Sequence, residues 1–279
     1  NPTATNAGTQ MQFINTQPVT GSGQIVLNAS AGNLDTAYLN YNGGGEVFTN
    51  GSAHTVRGTG RIHVNFTNNG TIVADVAGRT LQLMSTNKIN NAFMRATGGG
   101  NLEISSIAVT QGASGVLSTI GASTVTLNGC TVNGGAIQTP APGALSCVST
   151  SSVNGISLSG VANVYENANL RTGSGFTNNG TITVNPNNLN ANALMQFMGS
   201  CTVDGTGTIV LNANANGDTA YLFYNGGGEV LTQAAGHTIR GAGRVYVSMI
   251  NNGVIRADLA GRTLELNAVN KINNATIQA

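Results

Sequence analysis

The chain has 279 residues, 8% of them charged and 40% hydrophobic, with a net charge of +1. That balance argues against a nucleic-acid surface, which needs clustered Lys and Arg, and the apolar content argues against disorder. No apolar run approaches the roughly 20 residues of a membrane span, and Asn, Thr, Ser and Gly in place of Lys, Glu and Arg favour strands and tight turns over helices.

Taken from the N-terminus, short alternating segments follow one another without a helical period. "GSGQIVL" (Gly21–Leu27) puts a Gly-x-Gly corner before a strand, as do "GTGRIHV" (Gly58–Val64), "GTGTIVL" (Gly205–Leu211) and "GAGRVYV" (Gly241–Val247). A second template sets Asn-Asn-Gly/Ala before a strand: "TNNGTIVAD" at Thr67, "INNAFMRAT" at Ile89, "TNNGTITVN" at Thr177, "INNGVIRAD" at Ile250 and "INNATIQA" at Ile272. Between them "TLQLM", "NLEIS", "STVTLNG", "GISLSG" and "TLELN" alternate apolar and polar residues, the pattern of strands with one face inside. Asn68 to Asn90 and Asn251 to Asn273 are spaced by about 22 residues, which suits one coil of a solenoid of three short strands. The expected fold is all-β: a parallel β-helix, right-handed and three-sided, with coils of about 22 residues at minimum and some longer. Stacked like charges repel, whereas Asn, Thr and Ser can hydrogen-bond up the stack, so the low charge follows from the architecture.

The chain is also duplicated. Asp35 to Ala92 reappears at Asp218 to Ala275, about two-thirds identical, and the match extends upstream, "MQF" at Met11 recurring at Met195. Residues 1–96 and 185–279 read as two copies of one part of a repeat of about 184 residues, and 97–184 as its single-copy remainder, in one continuous solenoid over 1–279. The sequence starts with Asn1 and begins and stops partway through a unit, as expected of a window cut from a tandem array.

The stretch from "GFTNNGTITVN" through "CTVDGTGTIVLNA", "AYLFYNGGGEV" and "HTIRGAGRVYV" to "NKINNATIQA" (Phe176 to Ala279), together with its earlier copy, resembles the repetitive β-helical passenger regions of bacterial surface proteins, the adhesin, autotransporter and filamentous-haemagglutinin-like group. The resemblance implies a secreted or surface-displayed solenoid acting in adhesion, matrix or stalk formation. It carries no catalytic motif.

Candidate chemistry lies in the duplicated positions. Glu46 and Glu229, in the two copies of "YNGGGEV", could act as a general acid, contact a ligand or close a turn; glycoside hydrolysis needs a carboxylate pair, and the nearest acidic companions are Asp35, Asp75, Asp218 and Asp258. "HTVRGTGR" and "HTIRGAGR" place His54, Arg57 and Arg61, and His237, Arg240 and Arg244, where they could contact an anion or acidic glycan, or pair between coils with Asp75 or Asp258. Cys130 and Cys147 could form a disulfide, leaving Cys201, or all three could be buried thiols. Phosphate-loop, HExxH, CxxC and GxSxG patterns are missing, so no cofactor or metal is expected. Six sequons (Asn28, Asn50, Asn65, Asn69, Asn179, Asn274) fall mostly in the corner templates and fit turn chemistry.

These features lead to a non-enzymatic structural protein, extracellular or on the cell surface, forming a stalk or fibre. Its expected partners are adjacent repeats or copies of itself stacked end to end, and host or matrix glycans, with no nucleic acid and no membrane insertion. The alternatives are a polysaccharide lyase or depolymerase on a β-helix, and a glycan-binding adhesin without catalysis.

Overall fold

Strand after strand in the computed structural model, which describes residues 3, 6–173, 175–215, 217–267 and 269–279, pairs in parallel with the strand one coil later. The chain is a parallel β-helix that divides into two compact units, Asn1–Ala144 and Leu145–Ala279. The division falls inside the single-copy segment, so the units do not follow the repeat. Among the described residues the helical content is one short 3-10 turn, Leu34–Thr36, and no helix is long and apolar enough to cross a membrane.

Within each unit the strands fall into three parallel ladders. In the first unit one ladder runs Thr9–Phe13, Ala37–Tyr41, Gly60–Ile62, Thr80–Leu83, Asn101–Ser105 and Thr124–Asn128. Its inward side chains stack in register: Leu81 on Leu102 on Val125, and Leu83 on Ile104 on Leu127, all fully buried. The second unit repeats the arrangement with Ala162, Ile182, Ile209, Ile239 and Ile255. Burying each such Leu or Ile contributes about 1.5–3 kcal/mol, and the period-two alternation of the sequence is what points them to one side. Phe13, Phe48 and Phe66 fill a wider part of the interior, with ring centroids 4.5 and 4.8 Å apart.

Coil length varies around the expected value. Asn68 and Asn90 lie 22 residues apart on successive rungs, Asn90 and Gln111 21, and Gln10 and Tyr38, on a longer coil, 28. The coil from Asn50 to Asn68 takes only 18 residues, shorter than the minimum read from the sequence. The saving comes from the Gly-x-Gly corner: the strand Thr55–Ile62 turns from one ladder into the next without a loop. Gly58 and Gly60 have φ of +107° and +144°, and a Cβ on either would run into the carbonyl of Leu27 or Ala37. Gly241 and Gly243 do the same in Thr238–Val245, against Leu211 and Ala220.

Candidate functional site

The two "YNGGGEV" segments are turns that leave the strands Ala37–Tyr41 and Ala220–Tyr224. In the first, the backbone N–H groups of Gly43 and Gly44 donate to Glu46 Oε1 and Oε2 at 2.8 and 2.9 Å. In the second, Gly226 and Gly227 donate to Glu229 at 2.9 Å each. Each carboxylate thus sits in a nest of amides made by its own turn. Its own backbone amide and those of the glycines hold Glu46 and Glu229 below the usual carboxylate range, whereas a general acid needs its pKa raised.

The arginines are committed in the same way. Arg57 clamps Asp75, with Nε and Nη2 at 2.6 and 2.5 Å from Oδ2, and Arg240 Nε lies 2.8 Å from Asp258 Oδ2. Arg61 pairs with Asp35 and donates to Gln82 at 2.9 Å; Arg244 holds Asp218 at 2.5 Å and Glu265 at 2.8 Å. A hollow of about 440 Å³ beside Arg57 and Asp75 is floored by Val26, Leu27 and Gly58. The copy fills the corresponding place: Thr183 and Val184 pair there with Val210 and Leu211. The hollow is therefore the uncovered edge of a coil.

The two histidines grouped in the sequence with these arginines, as anion contacts or as partners between coils, lie inside. His54 and His237 are buried, because each precedes its strand at a corner that points inward. His54 Nδ1 is 2.7 Å from Asn50 Oδ1, and this contact heads an interior chain. Asn50 donates to Asn68 at 2.8 Å, Asn68 to Asn90 at 2.8 Å, and Asn90 to Gln111 at 3.1 Å. In the other unit Asn251 donates to Asn273 at 2.7 Å, and His237 Nε2 lies 3.0 Å from Asn178 Nδ2. The Asn-Asn template encodes this directly: the first Asn enters the interior ladder, and the second joins an outer one, Asn91 to Asn69 at 2.8 Å and Asn274 to Asn252 at 2.9 Å.

One polar interior residue was not legible. Lys88 is 1% exposed, its Nζ facing Met84 O at 3.0 Å, Thr86 O at 2.5 Å and Thr86 Oγ1 at 2.9 Å. Burial pushes its amine down to about 7. The repetition of "NKINNA" at Lys271, which bonds the carbonyls of Asn267 and Val269, was the available signal.

Cys130 and Cys147 do not form the disulfide considered from the sequence. Both are buried thiols, and Cys147 Sγ donates to Ser149 O at 3.1 Å. Cys201 is buried too, and burial raises its thiol to about 11. Of the sequons, Asn50 is sealed in the interior ladder. Among the described residues no group of three or more His, Cys, Asp or Glu is placed to hold a metal ion. No known family pattern, characterised protein or solved structure matches the chain.

Proposed function

We propose that the chain is a non-catalytic structural module of a bacterial extracellular or cell-surface protein, a repeating β-helix that serves as an adhesin stalk or fibre. The observation that carries this reading is the employment of the charged residues both copies keep: Glu46 and Glu229 close turns, Arg57 and Arg240 clamp Asp75 and Asp258, and Arg61 and Arg244 hold Asp35 and Asp218. A glycosidase or lyase would instead set carboxylates or bases against a cleft. The decisive assay incubates the protein with a panel of neutral and acidic polysaccharides. Release of reducing or unsaturated ends would overturn the reading; intact polymers support it.

The partner that best fits the coil edges is another coil of the same repeat. Met11 is 45% exposed, while its counterpart Met195 is buried beneath Leu170 of the preceding coil. Leu264 and Leu266 are half-buried, while their counterparts Leu81 and Leu83 are fully buried under Leu102 and Ile104. Open parallel edges of this kind template further strands. Sedimentation velocity over a range of concentrations tests stacking between chains: growth into larger particles supports it, and a constant small species confines the stacking to repeats within one chain.

A further inference from the structure

The strands Ala37–Tyr41 and Ala220–Tyr224 share their inward residues but differ on the outward face. In the second copy the ladder register places Gln196 next to Phe223, and Leu194, Tyr221, Arg244 and Glu265 in the adjoining column. Tyr246 extends the first column, its ring centroid 5.7 Å from Phe223 and 6.1 Å from Tyr221. Phe223 also stacks on Tyr224 at 4.7 Å. All four rings are half-buried, so each keeps part of its surface in solvent.

The first copy is an internal control. At the same positions it carries Gln12 beside Asn40, then His63, with Gln10, Tyr38, Arg61 and Gln82 in the adjoining column. Ala37 and Leu39 recur inward as Ala220 and Leu222, and Ile62 is replaced by Val245. The same strands therefore form with Asn and His where the second copy has Phe223 and Tyr246. Leu194 in place of Gln10 adds a third apolar change on the same face. Solvent-facing rings that the fold does not require gain their value from something laid upon them.

We propose that this face, centred on Phe223 and Tyr246, is a binding platform for an uncharged oligosaccharide. An anionic ligand is disfavoured because the nearby cation, Arg244, is held between Asp218 and Glu265, which leaves the cluster one negative charge in excess. A pyranose presents a C–H face to the rings and hydroxyls to the polar rim, where Glu265, Asn267 and the Tyr246 hydroxyl already form a network, Asn267 Nδ2 lying 2.7 Å from Glu265 Oε1 and 3.4 Å from the Tyr246 oxygen. Rungs about 4.8 Å apart let the rings contact more than one sugar. A peptide added as a strand would need free main-chain groups, and at the centre of the face Tyr221 and Leu222 are paired on both sides. This platform goes beyond the scaffold reading and does not rest on it.

Calorimetric titration of the intact protein with hexasaccharides of β-1,4-glucose, α-1,4-glucose and β-1,4-N-acetylglucosamine, and with a proline-rich decapeptide, tests the proposal. The chain has no tryptophan, so tyrosine emission gives an independent readout at the site. One hexasaccharide is expected to bind, and Phe223→Asn with Tyr246→His to weaken it at least about ten-fold while the unfolding midpoint holds, since the first copy folds with those residues. The reciprocal pair, Asn40→Phe with His63→Tyr, should add a second site. Absence of saccharide binding up to about 10 mM, binding of the peptide alone, or affinity that survives the double substitution would each overturn the platform. Thermal unfolding followed alongside keeps these outcomes separate from the fate of the scaffold.

Discussion

At the scale of single residues, the interior of this β-helix is unusual in what it holds charged or neutral. His237 is buried, and desolvation lowers its imidazole to about 4 from 6.5. Between those values the unfolded chain takes up a proton that the folded chain refuses. Its contribution to stability is complete above pH 6.5 and is lost as pH falls towards 4, on the order of 3 kcal/mol. Urea unfolding at pH 7.5 and pH 4.5 should show that loss, and His237→Gln should reduce it. Lys88 works in the same sense at higher pH: its amine is lowered to about 7 from 10.5 by burial, so stability rises as the pH is raised from 7 towards 10.5. Lys88→Met should flatten that rise in unfolding midpoints measured between pH 7 and 10. Neither group was legible in its role. A histidine beside two arginines in "HTIRGAGR" looks like surface charge, and only the inward pointing of the corner shows otherwise.

At the scale of a strand and its turns, the corners carry the specificity. Gly58 and Gly241 combine positive φ with a neighbouring carbonyl where a Cβ would lie, whereas Gly78 and Gly261, also at positive φ, face open space. Gly58→Ala should therefore cost well over 2 kcal/mol, and Gly78→Ala only about 1 kcal/mol, a contrast that chemical denaturation would resolve. The interior ladder sets a second contrast. Asn90→Ala leaves Asn68 Nδ2 and Gln111 Oε1 facing a gap, at a cost of about 1–3 kcal/mol, while Asn91→Ala on the outer ladder should cost a few tenths. The strands, their spacing and the ladder of Asn were legible because alternation and the 22-residue step are local patterns. The bent strand Thr55–Ile62 was not, because the sequence marks a Gly-x-Gly corner without saying that the chain continues its pairing straight through it. The same limit applied to "YNGGGEV": the glycines announced a turn, and only the closeness of Gly43 and Gly44 to the Glu46 carboxylate assigned that acid to it.

At the scale of the whole molecule, cohesion comes from backbone ladders and apolar stacking, with charge a minor contributor. The ion pairs lie at the surface, Arg57 and Arg240 being 42% and 45% exposed, and exposed pairs of this kind are worth about 0–1 kcal/mol each and are screened by salt. The thermal midpoint should accordingly shift by less than about 3 °C between low salt and about 1 M sodium chloride. Duplication was legible at this scale, since identity over dozens of residues needs no structure to be seen. The two compact units were not, because their division at Ala144 and Leu145 falls within the single-copy segment, where no repeat boundary marks it.

The Asn-Asn-Gly corner has a bearing on chemical ageing. Asparagine followed by glycine is the sequence most prone to deamidation, because the glycine amide attacks the side-chain carbonyl to form a succinimide. Here that amide is occupied: Gly70, Gly180 and Gly253 donate to Asn68, Asn178 and Asn251 at 3.2, 3.1 and 3.0 Å. The inner asparagine of each pair thereby protects the outer one, Asn69, Asn179 or Asn252. Mass spectrometry of folded and urea-unfolded protein stored at mildly alkaline pH should find these three sites converting far more slowly when folded. The motif that ties one coil to the next thus also slows the clock on its own most perishable residue.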